Sequence, residues 1–206
     1  MKSDSLRLEY KIIFDLVPSG SKVLDLGCGD GELLSMLVEE KGCRVQGIEI
    51  DEKAIYACVL RGLSVLQGDI DTGLAEYNDK VFDYVILNQT FQQVKKPEIV
   101  LKEALRVGKY VIVGFPNFAH YKARFQIFFQ GRTPVTPSLP YQWYDTPNLH
   151  FLSISDFNEY CHRKSIKINR RAFTSSNRRV DLFPNLCALN GIFLLSDGNN
   201  TTGGQK

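Results

Sequence analysis

The chain has 206 residues, 44% of them hydrophobic, and a formal net charge of +2. That length and apolar content suit one domain with a sizeable core, and so small a charge makes no electrostatic case for nucleic acid. Five cysteines, an odd number without C-x-x-C spacing, argue against a disulfide frame or a metal site and for reduced thiols in a cytoplasmic protein.

The N-terminus, MKSDSLRLEY, lacks an apolar signal core, and no apolar run approaches membrane-spanning length, so no membrane partner is expected. Strand and helix patterns then alternate, which predicts a parallel sheet covered by helices. Residues 6–16 read as a helix, 23–26 as a strand and 32–40 as a helix. Residues 43–50 follow as a strand, 52–61 as a helix stopped by Gly62, and 64–67 as a short strand. The run FDYVIL, 82–87, is the pattern of a strand buried on both faces. A helix over 97–106 begins with Pro97, where the missing N–H is tolerated, and YVIVGF, 110–115, is a fifth strand. Beyond Pro116 the alternation breaks. A helix over 121–130 is compatible with the spacing of Tyr121, Phe125, Phe128 and Phe129, but four of the eight prolines then fall between Pro134 and Pro147. Ten of the 23 aromatics lie between Phe115 and Phe151. A loop of that composition suits a lid or a contact surface. A helix over 155–163, capped by Ser153 or Ser155, and strands over 166–173 and 186–195 close the chain. The expected layout is one domain over 1–196, with an aromatic insertion at about 117–150 and a disordered tail over 197–206. The sheet should have seven strands, mostly parallel, with helices on both faces.

The stretch VLDLGCGDGELL, 23–34, carries the most chemistry. A strand turning through Gly27, Gly29 and Gly31 into a helix makes a ligand site from bare backbone and unpaired helix N–H groups. A dinucleotide fingerprint places its third glycine five residues after the first. Here that place is Glu32, and the third glycine comes one residue early. Asp25, Asp30 and Glu32 make the loop acidic, which disfavours a pyrophosphate, and with it a nicotinamide dinucleotide, and favours a phosphate-free cation. S-adenosylmethionine, with an ammonium and a sulfonium, meets that description. Glu49 ends the second strand, where a carboxylate is either simply solvated or accepts from both ribose hydroxyls. Asp69, in QGDI, is either a turn aspartate or the acceptor of an adenine amino group, with Ile70 packed on the ring. Asn88 falls at the carboxyl end of the fourth strand, where ligands bind in such sheets.

Together VLDLGCGDG, GIEID, QGDI and FDYVILNQT resemble class I S-adenosylmethionine-dependent methyltransferases over about the first 120 residues. The resemblance implies a Rossmann-like fold. It implies that Asp25, Gly27 and Gly29 line the methionine part, that Glu49 holds ribose, that Asp69 holds adenine, that Asn88 faces the methionine moiety, and that Cys28, Ile50 and Ile70 belong to the same cofactor site. A narrower resemblance rests on VGFPNFAHYKARFQIFFQGRTPV and LPYQWYDTPNLHFLSISDF. These are similar to the methionine biosynthesis MetW family, associated with homoserine O-acyltransferase (MetX) as its partner or activator. Trp143, Tyr144 and Phe129 are then candidate contacts, since aromatics are enriched at interfaces. Many methyltransferase relatives carry a Glu-His pair where this chain has Gln92 and Gln93, and glutamine takes up no proton as a base. His120, Asp145 and His150 either handle protons over the ligand or hydrogen-bond the backbone of the insertion. Two functions follow: a cofactor-binding subunit acting with the acyltransferase, or an active methyltransferase on an unknown small acceptor.

Overall fold

The computed structural model describes residues 8–198. Residues 6 and 7 of the expected first helix and most of the expected tail lie outside the described residues. Eight strands form a single sheet: β1 (Lys22–Leu26), β2 (Arg44–Glu49), β3 (Val65–Gln67), β4 (Phe82–Asn88), β5 (Gly108–Pro116), β6 (Ile166–Ser175), β7 (Arg178–Arg179) and β8 (Asn190–Asp197), in the order β3-β2-β1-β4-β5-β8-β6-β7. The strands from β3 to β5 are parallel; β8, β6 and β7 are antiparallel. The sheet therefore has one strand more than the expected seven. The addition is β7, a two-residue hairpin partner of β6 that turns through Ser176 at φ +53° and carries no apolar pattern. The last long strand begins at Asn190 rather than 186, because Pro184–Cys187 forms a short helical turn. Asp197, assigned to the tail, ends β8 and pairs with Ile166.

Helices cover both faces, and alternation along β1 shows why. Leu24 and Leu26 join the core beneath α4 (Pro97–Val107) and α6 (Ile154–Arg163). Val23, on the opposite face, joins the core beneath α1 (Leu8–Leu16), α2 (Glu32–Lys41) and α3 (Glu52–Leu60). The first core is aromatic: Phe193 stacks on Phe115 at 5.6 Å, and Phe157 leans on both. Phe157 is placed by the start of α6, where the Ser153 hydroxyl accepts from Asp156 N–H at 3.1 Å and the Asp156 carboxylate accepts from Ser153 N–H at 2.9 Å. This is a capping box. Ser153→Ala should lower stability by about 1 kcal/mol, which is a melting shift of roughly 2–4 °C for a domain of this size; calorimetric melting measures it.

The insertion leaves β5 at Asn117, a fully buried side chain that donates to Ala188 O at 2.8 Å and Asn185 O at 3.1 Å. Helix α5 (Tyr121–Gln130) follows, with only Ala123 buried. The proline-rich stretch after it has no helix or strand beyond a single bridge between Thr136 and Leu139. It returns to the body where Leu149 and His150 both donate backbone N–H to Gln92 O at 3.0 Å. Among the described residues no helix is long and apolar enough to cross a membrane, and all five cysteines are free thiols.

Candidate active site

Strands β1 to β4 point their carboxyl ends at one edge of the sheet, and the order reverses between β1 and β4. A doubly wound sheet opens a crevice at such a switch point. The cleft there has a volume of about 480 Å³, within the roughly 300–1,000 Å³ of small-molecule sites. Its floor is the glycine loop. Gly27, at φ +78°, lies so close to Thr90 that a Cβ would sit 2.6 Å from Oγ1. Both the left-handed backbone and the crowding require glycine. The loop is tied to β2 three times: Gly27 N–H and Cys28 N–H donate to Ile48 O at 2.8 and 3.3 Å, and Gly29 N–H donates to Glu49 Oε2 at 2.8 Å. The other Glu49 oxygen accepts from Ile50 N–H at 2.8 Å and Asp51 N–H at 3.0 Å.

Of the expected residues, Gly27, Cys28, Gly29, Glu49, Ile50, Asp69, Ile70 and Asn88 all line this cleft. Asp69 Oδ1 accepts from Asp71 N–H at 2.9 Å and starts a 3-10 turn over Ile70–Thr72. Asn88 leans over Gly114 of β5, where a Cβ would lie 2.3 Å from Asn88 Oδ1. That oxygen is buried without a partner among the described residues, as is expected of a group reserved for a ligand donor.

Asp25 sits elsewhere. It is the last residue but one of β1, between Gly47 and Ile86, and is buried beneath the loop rather than on the cleft wall. Burial, then the Glu49 charge, raises its pKa from 3.8 to about 7. Burial and the nearby carboxylates likewise push the Cys28 thiol far up, so it is protonated at neutral pH and no nucleophile. Asp30 is engaged by Arg61 at 3.3 Å, which offsets part of the loop's acidity.

His120, Asp145 and His150 line neither this cleft nor the cavity beside it. His120 is buried and caps α5, its Nδ1 accepting from Lys122 N–H at 3.3 Å; burial lowers its pKa. Asp145 is exposed, and His150 Nε2 is buried without a partner among the described residues.

Gln92 and Gln93, which in sequence are only a missing base, have a positive role here. Both side-chain amides donate to Gln89 O at 2.9 Å. Gln89 stands at φ +59°, a strained backbone for a residue with a side chain. Gln89, Thr90 and Tyr10 also line the cleft. The strain at Gln89 leaves no trace in residue type, and Tyr10 arrives from the far end of the chain. Among the described residues no group of three or more His, Cys, Asp and Glu could hold a metal ion.

The cleft fits S-adenosylmethionine on its own chemistry: a carboxylate at the end of β2, another after β3 and an orphaned carbonyl at Asn88. A relative from Rhodopirellula baltica, described as a bifunctional methionine biosynthesis protein MetXA/MetW, is 34% identical over 197 residues, covering 89% of this chain and 32% of its own length. A ubiquinone biosynthesis O-methyltransferase from Pseudomonas fluorescens is 33% identical over 118 residues, 49% of this chain and 50% of that one. The chain thus spans about a third of the first relative and half of the second. A solved S-adenosylmethionine-dependent methyltransferase from Archaeoglobus fulgidus shares the fold at TM-score 0.66 and 16% identity, over 91% of this chain and 90% of its own. The family model described as methionine biosynthesis protein MetW matches residues 7–195, so the chain belongs to the MetW family.

Proposed function

We propose that this protein binds S-adenosylmethionine in the cleft and acts in methionine synthesis as a subunit that docks on homoserine O-acyltransferase (MetX). The cleft carries the first half of this reading, with Glu49 at ribose, Asp69 and Ile70 at adenine, and Asn88 at the methionine end. The relative in which MetXA and MetW share one chain supports the second. Calorimetric titration with S-adenosylmethionine, with and without the acyltransferase, tests both. Saturable binding is expected, and its affinity should change when the acyltransferase is present if the two sites are coupled. Absence of binding defeats the cofactor role.

The docking surface has a visible candidate. Helix α5 exposes Phe125, Phe128 and Phe129, and the insertion exposes Trp143 and Tyr144; Phe128 is 81% and Trp143 72% accessible. Exposed aromatic clusters, Phe125 and Phe128 against Phe129 and Trp143 against Tyr144, mark a candidate interaction surface. Truncating a central interface aromatic typically removes about 2 kcal/mol or more, roughly 30-fold in affinity. The double change Phe128→Ser with Trp143→Ser should therefore abolish co-purification with the acyltransferase and leave cofactor binding intact. Undiminished co-purification would place the partner elsewhere.

A second cavity beside the cleft favours the other reading, methyl transfer to a small acceptor. When bound, S-adenosylmethionine supplies an electrophilic methyl group, and the protein's part would be to hold an acceptor in line with it. Isotope-labelled cofactor incubated with cell extract distinguishes the readings: a labelled product together with S-adenosylhomocysteine makes the protein an enzyme.

A further inference from the structure

The second cavity has a volume of about 500 Å³ and shares Tyr10, Asn88, Gln89 and Gln93 with the cofactor cleft. Its remaining wall comes from distant parts of the chain: Glu9 of α1, Gln92 after β4, Asn190 of β8, and the proline loop of the insertion as roof. Glu9 is held in place, its Oε1 accepting from the Thr174 hydroxyl and the Asn190 amide, each at 2.8 Å.

The wall is one-sided in its chemistry. Among the described residues its one formal charge is the Glu9 carboxylate, and it holds no lysine, arginine or histidine. Gln92 is 3% exposed, and its Oε1 is buried without a partner among the described residues. The orientation of that amide is settled, because its other end donates to Gln89 O, which accepts only. Buried acceptors are almost always paired, so this orphan calls for a donor brought by a ligand. An anion would have to shed its hydration beside Glu9 with no cation to meet it.

We propose that this cavity is a binding site for a small hydroxylated amine, its ammonium held by Glu9 and its further donor taken by Gln92. The site stands beside the place where the methyl group would be, so the proposal rests on the cofactor reading for its meaning, though not for its own binding. Three compounds of one skeleton test it by saturation-transfer NMR: 4-aminobutan-1-ol, butane-1,4-diol and 4-hydroxybutyrate. The amine should bind saturably, the diol at least tenfold more weakly, and the anion not at all. Glu9→Gln keeps the acceptor for Thr174 and Asn190 and removes the charge; it should weaken the amine tenfold or more, to the level of the diol. Gln92→Leu, an independent arm should the first variant not fold, should weaken amine and diol alike. S-adenosylhomocysteine affinity, measured on the same samples, should stay within twofold in Glu9→Gln. Equal binding of the anion, no binding of the amine, or an amine affinity untouched by both substitutions overturns the proposal. So does a Glu9→Gln variant that loses the cofactor and keeps the amine, since the cavity would then be part of the cofactor site. Loss of cofactor binding in the unaltered protein overturns the cofactor reading alone.

Discussion

Glu49→Gln should weaken S-adenosylmethionine binding by roughly 100-fold. The Glu49 carboxylate faces two ways. It accepts from Gly29 N–H on one oxygen and from Ile50 and Asp51 N–H on the other, which uses three of about four acceptor sites on a carboxylate. The remaining one is free for a ribose hydroxyl, a tighter allowance than the two hydroxyls expected from sequence. A glutamine in the same rotamer must turn an NH₂ toward one set of donors, so either the glycine loop or the β2 turn loses its tie. A hydrogen bond to a charged group contributes about 1.5–3 kcal/mol. Losing the ligand bond and loosening the loop beneath it gives about 3 kcal/mol in all, or two orders of magnitude. Calorimetry reads this directly. Binding within threefold of the unaltered protein would mean that Glu49 is a loop fastener and no ligand contact.

Local rules made the site half visible before the fold was known. Pro97 at a helix start, Gly62 just past the end of α3 at φ +72° and Ser153 as the cap of α6 are decided within a few residues, and each stands where the sequence places it. Glu49, Asp69 and Asn88 are readable for a related reason: each follows an apolar strand, and in a parallel sheet every strand ends on the ligand side. The second cavity had no such signal. Glu9, Gln92 and Asn190 meet only because α1, the β4 loop and antiparallel β8 converge there, and nothing local in those residues announces it. The apolar run after 186 misled for another reason. Periodicity over so few residues does not tell a helical turn from the start of a strand, and Pro184 at the first turn decided for the turn.

Asp25→Asn should stabilise the protein above neutral pH and change little near pH 4. The carboxyl is buried near the end of β1, accepts no hydrogen bond among the described residues, and has its pKa raised from 3.8 to about 7 by burial first and by Glu49 second. Between those values the folded protein keeps a proton that the unfolded chain has lost. Stability therefore falls as pH rises through that window, and the whole penalty is present above about pH 7. Three pH units correspond to at most about 4 kcal/mol. Asparagine keeps the shape and drops the charge, so the gap in melting temperature should open from near zero at pH 4 to as much as about 10 °C at pH 8. A gap that is constant with pH would show that Asp25 does not titrate in this range. A residue that destabilises its own strand at working pH is a candidate for function rather than architecture, and the glycine loop above it gives that function a form. A cationic ligand seated on the loop would favour the ionised carboxylate and draw the proton off. Calorimetric titration at pH 6 in two buffers of different ionisation heat should then show proton release on binding S-adenosylmethionine, and Asp25→Asn should abolish the release while weakening affinity about tenfold. Binding that exchanges no proton would separate Asp25 from the cation and leave the methionine end to Asn88 and the loop backbone.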